Sequence, residues 1–246
     1  MFWLDELSFR YEPYPIGLAS PVFEADLYRE LVASYPSDEL FERSRIGVKY
    51  VLSDRVHRAA YFRFLRSAPA WNEFHRWVTS DAFINHLLKK LGEHSLRLPY
   101  RQRSRVQRYL RHLAFGLAGR PDQRGSLRSR FEFSMLPADG GQVIPHTDSP
   151  GKVITLVLSM LGDGEWEPSV GGGTDVNVPR RSALMFNRMN EKAGFEDVDV
   201  VHTFPFLPNQ AVVFLRTYNS WHSVRPMTAA GSSLMRRTVT INVLEA

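Results

Sequence analysis

The chain has 246 residues, of which 43% are hydrophobic and 23% are charged, and its net charge is +5. This composition is close to that of globular proteins and excludes a disordered or collagen-like chain, and the length suits one domain, which we predict to span residues 1–246. Because the sequence contains no cysteine, it excludes disulfide bonds and thiolate metal ligands, which leaves His, Asp and Glu as the strong ligands.

The N-terminal residues and the most apolar stretch bear on the location of the protein. The segment MFWLDELSFRYE has acidic side chains where a secretory signal has a positively charged region. The longest nearly apolar run, VITLVLSML from Val153, is about half of the roughly 20 residues that a membrane helix needs, and its β-branched residues favour a buried strand. We therefore expect a cytoplasmic protein without a membrane span.

The first half of the sequence has a helical periodicity. In VFEADLYRELVASY, Phe23, Leu27 and Leu31 are four residues apart on one stripe, and WNEFHRWVTSDAFINHLLKKLG repeats apolar positions at helical spacing up to Gly92. Residues 22–92 are therefore predicted to be mostly helical. Residues 97–130 form a basic connector with ten arginines, in which Gly and Pro favour a loop with one short helix or strand.

From Arg130 onwards the periodicity changes to short strands separated by Gly, Pro, Asn and Asp. The candidate strands are RFEFSML, QVIPH, KVITLVLSML, GGTDVNV, SALMF, VDVVHTF, AVVFLRTY, WHSVRP and RRTVTINVL. Many short strands with no helix between them predict an antiparallel sandwich or barrel. The predicted fold class is mainly β with α: a jelly-roll (double-stranded β-helix) core in residues 130–246, buttressed by the helices and the connector of residues 1–129.

Two segments of the β-rich half supply candidate metal ligands. In QVIPHTDSP, His146 and Asp148 are two residues apart at the end of a strand, so their side chains leave the same face. An H-x-D pair alone is close to the chance expectation and also fits a surface loop. His222 in the late strand WHSVRP adds a third ligand, and two His with one carboxylate form the facial triad that leaves three positions of an iron ion open. His202 in VVHTF is the one rival ligand, and it has no acidic residue two positions away.

The order of these blocks resembles a known family. HTD, KVITLVLSML, GGGTDV, NQAVVF, WHSVRP and RRTVTINV follow one another over Arg130–Glu245 as in the prolyl-hydroxylase-like branch of the 2-oxoglutarate and Fe(II)-dependent oxygenases. The resemblance implies catalysis with Fe(II) bound by His146, Asp148 and His222, with 2-oxoglutarate and O2 as co-substrates and ascorbate as a supporting reductant. It also implies hydroxylation of an acceptor with release of succinate and CO2.

The resemblance further implies a basic side chain on the last strand that binds the distal carboxylate of 2-oxoglutarate. Arg236 and Arg237 are both candidates, and they lie on opposite faces of the strand RRTVTINV. Turning the Val and Ile face inwards would select Arg237, whereas the family pattern, an Arg followed four residues later by Thr, favours Arg236. Further candidates for cofactor binding are Lys152, Thr155 and Asn219.

The acceptor is predicted less sharply than the metal site. We expect a small-molecule acceptor, with the basic connector favouring an anionic one; a nucleic acid bound by a demethylase of the same chemistry is an alternative. A second alternative is a non-catalytic metal-binding jelly roll, and the connector also fits a solvated basic face. Candidate acceptor contacts are Tyr109, Arg128, Arg130, Phe133, Trp166, Tyr218 and Trp221.

Overall fold

The computed structural model describes residues 2–44, 48–98 and 127–245. In these ranges the α-helices are α1 (Ala25–Ala33), α2 (Arg58–Ser67), α3 (Pro69–Val78) and α4 (Asp81–Glu93). The β-strands are β1 (Leu7–Arg10), β2 (Ile16–Ala19), β3 (Glu42–Arg43), β4 (Tyr50–Ser53), β5 (Leu127–Pro137), β6 (Val143–His146), β7 (Lys152–Ser159), β8 (Thr174–Pro179), β9 (Val198–Phe204), β10 (Ala211–Leu215), β11 (His222–Val224) and β12 (Met235–Glu245). No helix in the described ranges is long and apolar enough to cross a membrane.

Two of the helices begin at clear start signals. Pro69 occupies the first turn of α3, where its missing N–H costs no hydrogen bond. Ser80 caps α4, because its side chain accepts a hydrogen bond from the backbone N–H of Phe83 at 3.2 Å. This cap divides the helical stretch predicted to end at Gly92 into α3 and α4, and α4 continues to Glu93.

Two antiparallel sheets form the body of the fold. The larger sheet has the strand order β1-β2-β10-β7-β12-β5-β4-β3, and the smaller sheet has the order β6-β11-β8-β9. Strands that are far apart in the sequence are neighbours in both sheets, as β12 is beside β7 and β11 is beside β6. The arrangement confirms the predicted fold class, mainly β with supporting helices and a jelly-roll core.

The edges of the larger sheet contain strands that the sequence pattern did not predict. β3 and β4 lie between α1 and α2, and β4 pairs with β5, so the prediction of a mostly helical segment over residues 22–92 is wrong there. At the other edge, β1 and β2 extend the sheet through the pairing of β2 with β10. Both additions cover sheet edges whose backbone groups would otherwise lack partners.

One predicted strand, SALMF, is a turn. Ser182–Leu184 forms a single 3₁₀ turn. Leu184 is buried, whereas the next two residues, Met185 and Phe186, are both exposed. A half-buried strand requires burial at every second residue, and this segment lacks that pattern.

The helices pack against one face of the larger sheet, and the smaller sheet covers the other face. Phe133 of β5 and Trp71 of α3 are fully buried, with ring centroids 4.9 Å apart. On the opposite face, Phe214 of β10 packs in one cluster with Val176 of β8. Every second side chain of β5, β7 and β12 therefore points into the space between the two sheets.

Candidate metal centre

Two paired strands of the smaller sheet bring the candidate ligands together. His222 at the start of β11 lies opposite His146 at the end of β6, and Asp148 follows two residues later. One ligand atom from each of these three residues lies within 4.8 Å of the other two. His202 is separated from His222 by β8, because both residues pair with Val176, and it does not belong to this cluster.

Backbone carbonyls orient both imidazole rings. Nδ1 of His146 lies 2.9 Å from the carbonyl oxygen of Ile144, and Nδ1 of His222 lies 3.0 Å from that of Ser220. A carbonyl only accepts, so each neutral ring carries its proton on Nδ1 and leaves the lone pair of Nε2 free for a metal ion.

Three neighbours position the Asp148 segment. Lys152 Nζ donates to Oδ1 and Thr155 Oγ1 donates to Oδ2, both at 2.6 Å. Arg216 Nε also donates to the backbone carbonyl of Asp148 at 3.3 Å. Lys152 and Thr155 are candidates for binding 2-oxoglutarate in the sequence analysis, and the structure places both on the metal-ligand carboxylate.

The surroundings hold the three side chains in the protonation states that a metal ion requires. Burial, together with the neighbouring His222, lowers the pKa of His146 to about 3, and burial also lowers the pKa of His222. Burial by itself would raise the pKa of the Asp148 carboxyl, but Lys152, His222 and the hydrogen bond from Thr155 together outweigh burial and lower the pKa. Two neutral imidazoles and one carboxylate at neutral pH are a donor set that fits Fe(II), with three positions left open.

Alternation along β12 separates the two arginine candidates. Arg236 points between the sheets and is 5% exposed. Its Nε donates to the carbonyl of Gly172 at 2.5 Å, and its guanidinium lies 4.6 Å from the ring centre of Phe206. Burial lowers its pKa to about 10. Arg237 lies on the other face, where it pairs with Asp38 at 3.3 Å.

The guanidinium of Arg236 has a setting that suits a bound carboxylate. Among the residues that the structure describes, no carboxylate forms an ion pair with it. A buried cation without a counterion is costly, so the site favours an anionic ligand. The inward face of β12 between Arg236 and the metal end carries the buried hydroxyls of Thr238 and Thr240.

The glycine-rich turn before β8 was not predicted as part of the site. Gly172 has a φ of +82°, and a Cβ there would lie 3.2 Å from Cδ of Arg236. Glycine thus allows both the turn and the close approach to Arg236. The run GGGT signalled a hairpin turn, but nothing local indicated which side chain the turn would cover.

Several other predicted residues occupy distinct places. Trp166 donates from Nε1 to the carbonyl of Gly171 at 2.9 Å, next to the turn that also contacts Arg236. Tyr218 is exposed, and its ring centre lies 4.7 Å from the guanidinium carbon of Arg216. Arg216 also donates to the backbone of Asp148, so Tyr218 lies near the metal ligands. Asn219 donates to the carbonyl of Pro13 at 2.7 Å and fixes a turn.

Two of the weak acceptor candidates, Phe133 and Trp221, lie fully buried away from the space between the sheets. Phe133 is fully buried on the helix-facing side of β5, because its position in the alternation points away from the space between the sheets. Trp221 precedes His222 and points the opposite way; it is fully buried and donates to the carbonyl of Leu184 at 2.9 Å.

The remaining candidates differ in how far the structure describes them. Arg128 is exposed and Arg130 is partly buried, and both lie on the inward face of β5. Tyr109, together with most of the arginine-rich connector, lies outside the described residues.

Comparisons with known proteins identify the fold. No family model and no curated protein matches the chain. A prolyl-4-hydroxylase from Pseudomonas putida is similar with a TM-score of 0.52 and 15% identity, over 94% of this chain and 92% of that chain. A prolyl hydroxylase from Trichoplax adhaerens, solved in complex with a peptide fragment of the hypoxia inducible factor oxygen degradation domain, is similar with a TM-score of 0.50 and 13% identity, over 94% of this chain and 83% of that chain. The chain therefore has the jelly-roll fold of the 2-oxoglutarate and Fe(II)-dependent oxygenases.

Proposed function

We propose that this protein is an Fe(II)- and 2-oxoglutarate-dependent dioxygenase that hydroxylates a small, charged acceptor. The observation that carries the proposal is the cluster of His146, Asp148 and His222, whose ligand atoms lie within 4.8 Å of one another. The buried Arg236, which has no carboxylate partner within the described part of the chain, supports it, because an arginine fork binds a carboxylate at two points. The metal ligands and Arg236 lie between the same two sheets, so one molecule of 2-oxoglutarate can bind the metal ion with one end and Arg236 with its distal carboxylate.

The side chains have separate tasks in this reaction. His146, Asp148 and His222 hold the iron, which when bound supplies the activation of O2 for the oxidation. Arg236 binds the distal carboxylate of 2-oxoglutarate. Lys152 and Thr155 fix the orientation of the Asp148 carboxylate, as the distances of 2.6 Å from each indicate.

The overall conversion is balanced without a further reactant. One 2-oxoglutarate, one O2 and one acceptor C–H bond give succinate, CO2 and one acceptor C–OH bond. Ascorbate serves only to keep the iron reduced. The same ligands could hold a structural ion in a non-catalytic module, and the two functions differ in whether 2-oxoglutarate is consumed.

An anaerobic titration tests the proposal directly. Protein loaded with Fe(II) should give a weak visible charge-transfer band when 2-oxoglutarate is added, and air should then convert 2-oxoglutarate to succinate. Iron binding is measured independently in the same sample. If iron is bound but neither the charge-transfer band nor succinate appears, the proposal is contradicted. The result would then favour a non-catalytic module in which the ligands hold a structural ion.

A further inference from the structure

A strip of charged side chains lies beside the metal centre. We name Lys49, Asp54, Arg130, Glu132 and Lys152 the charged wall. Arg130 pairs with Asn242 of β12, and Asn242 lies 3.5 Å from Thr155, the residue that binds the Asp148 carboxylate. Lys152 thus contacts the metal ligand Asp148 directly, whereas Arg130 is separated from Thr155 by one strand, β12.

The wall is built from ion pairs that are neither fully buried nor fully solvated. Lys49 Nζ lies 2.8 Å from Glu132 Oε1, and these side chains are 33% and 21% exposed. Arg130 donates to Oδ1 of Asp54 through Nε at 3.2 Å and through a second nitrogen. Partial exposure leaves room for an incoming molecule to bind these groups.

The wall has more cations than carboxylates, and one of its cations pairs with a metal ligand. Lys152 is paired with Asp148 at 2.6 Å and is 25% exposed. When Asp148 also binds a divalent cation, its negative charge neutralises less of the positive charge of Lys152. The wall itself has three cations but only two carboxylates, those of Glu132 and Asp54.

Glu132 keeps its negative charge in this setting. Burial by itself would raise its pKa, but Lys49, Lys152 and Arg130 together lower it. A purely anionic acceptor would thus meet a fixed carboxylate among the cations. An apolar acceptor would remove water from charged groups without replacing its hydrogen bonds, which is costly.

We infer that the charged wall binds an amino-acid group, with the carboxylate of the acceptor on Arg130 and Lys152 and its ammonium on Glu132. Arg130 and Glu132 are two residues apart on one face of β5, so their Cβ atoms are about 7 Å apart, and their side chains can reach both ends of a zwitterion. The inference rests on the proposed function and specifies the class of acceptor that the iron site oxidises.

A panel of compounds on the unaltered protein tests this inference. Free amino acids, including β- and γ-amino acids, are compared with their N-acetyl derivatives, which lack the ammonium, and their amides, which lack the carboxylate. At least one free amino acid should stimulate succinate formation, whereas both of its derivatives should stimulate at least about tenfold less. Equal stimulation by a derivative would overturn the inference, and so would no stimulation by any free amino acid.

Substitutions in the charged wall test whether its residues cause the preference for free amino acids. Glu132→Gln should reduce the ratio between the stimulation of succinate formation by the free amino acid and by its N-acetyl derivative. Arg130→Met should reduce the ratio between the stimulation by the free amino acid and by its amide. Arg180→Met is the matched control, because Arg180 pairs with Asp199 at 2.8 Å on the surface, with exposures of 57% and 58%. An unchanged preference in both wall variants, with metal and 2-oxoglutarate still bound, would overturn the inference.

The failure of this inference is distinguishable from the failure of the proposed function. A charge-transfer band with 2-oxoglutarate and slow acceptor-free formation of succinate would uphold the oxygenase even if no amino acid acted on it. If neither the charge-transfer band nor succinate were observed, the proposed oxygenase function itself would be refuted.

Discussion

Replacing Arg236 by methionine should weaken the binding of 2-oxoglutarate and leave the metal site intact. The side chain is 5% exposed, so a carboxylate bound to it would be largely desolvated. Removing one partner of such a buried charged pair costs about 2–5 kcal/mol. A cost of about 3 kcal/mol corresponds to roughly 150-fold weaker binding.

The neighbouring residue provides a matched control. Arg237 pairs with Asp38 at 3.3 Å, and these side chains are 38% and 53% exposed. An exposed ion pair contributes about 0–1 kcal/mol to stability. Arg237→Met should therefore change neither the affinity for 2-oxoglutarate nor, by more than this amount, the free energy of unfolding.

The charge-transfer titration gives the dissociation constant of 2-oxoglutarate, and succinate formation gives its KM. Arg236→Met should raise both constants, and Arg236→Lys should lie in between, because lysine keeps the charge but lacks the planar fork. Without 2-oxoglutarate, Arg236→Met should not lower the melting temperature, since an uncompensated buried cation destabilises the folded state. A steep rise of KM in Arg237→Met together with an unchanged KM in Arg236→Met would refute the reasoning.

Three other changes probe the metal site, the core and the response to acid. Asp148→Asn should weaken Mn(II) binding at least about 100-fold, because replacing a residue that merely hydrogen-bonds to a metal ligand already costs about 10–100-fold in affinity. Calorimetric titration measures the affinity for Mn(II), and an unchanged affinity would show that the metal binds elsewhere. Phe133→Ala should lower the free energy of unfolding by about 3–5 kcal/mol, because the ring is fully buried, and a loss below about 1 kcal/mol in urea unfolding would contradict its place in the core. Burial lowers the pKa of His75, so the folded state favours the neutral ring, and the stability from this residue is present above the ordinary pKa of 6.5 and is lost as the pH falls below it. His75→Gln should therefore lose less stability than the unaltered metal-free protein between about pH 7 and pH 5.5, and an equal loss in urea unfolding would refute this.

The sequence predicts those features that a local pattern records. The period-two pattern of RRTVTINV indicates that Arg236 and Arg237 point to opposite faces of their strand. The spacing of HTD indicates that His146 and Asp148 leave one face of a strand end. The change from helical to alternating periodicity near Arg130 indicates where the strands of the jelly-roll core begin, although it gives no sign of β1 to β4, which precede that point. Each of these features depends on residues a few positions apart, so the chain itself contains the information.

The tertiary structure decided which faces meet. Arg236 points inward because the apolar face of β12 belongs to the core cluster shared with the helices, and this depends on the pairing of β12 with β5 and β7 rather than on the strand alone. Lys152 donates to the carboxylate of Asp148, a partner that the sequence analysis did not predict for it. Lys49 and Glu132 are separated by 83 positions in the chain yet form one ion pair. Periodicity specifies the face from which a side chain leaves, whereas its partner is set by non-local strand pairing, and for this reason the charged wall became visible only in the folded protein.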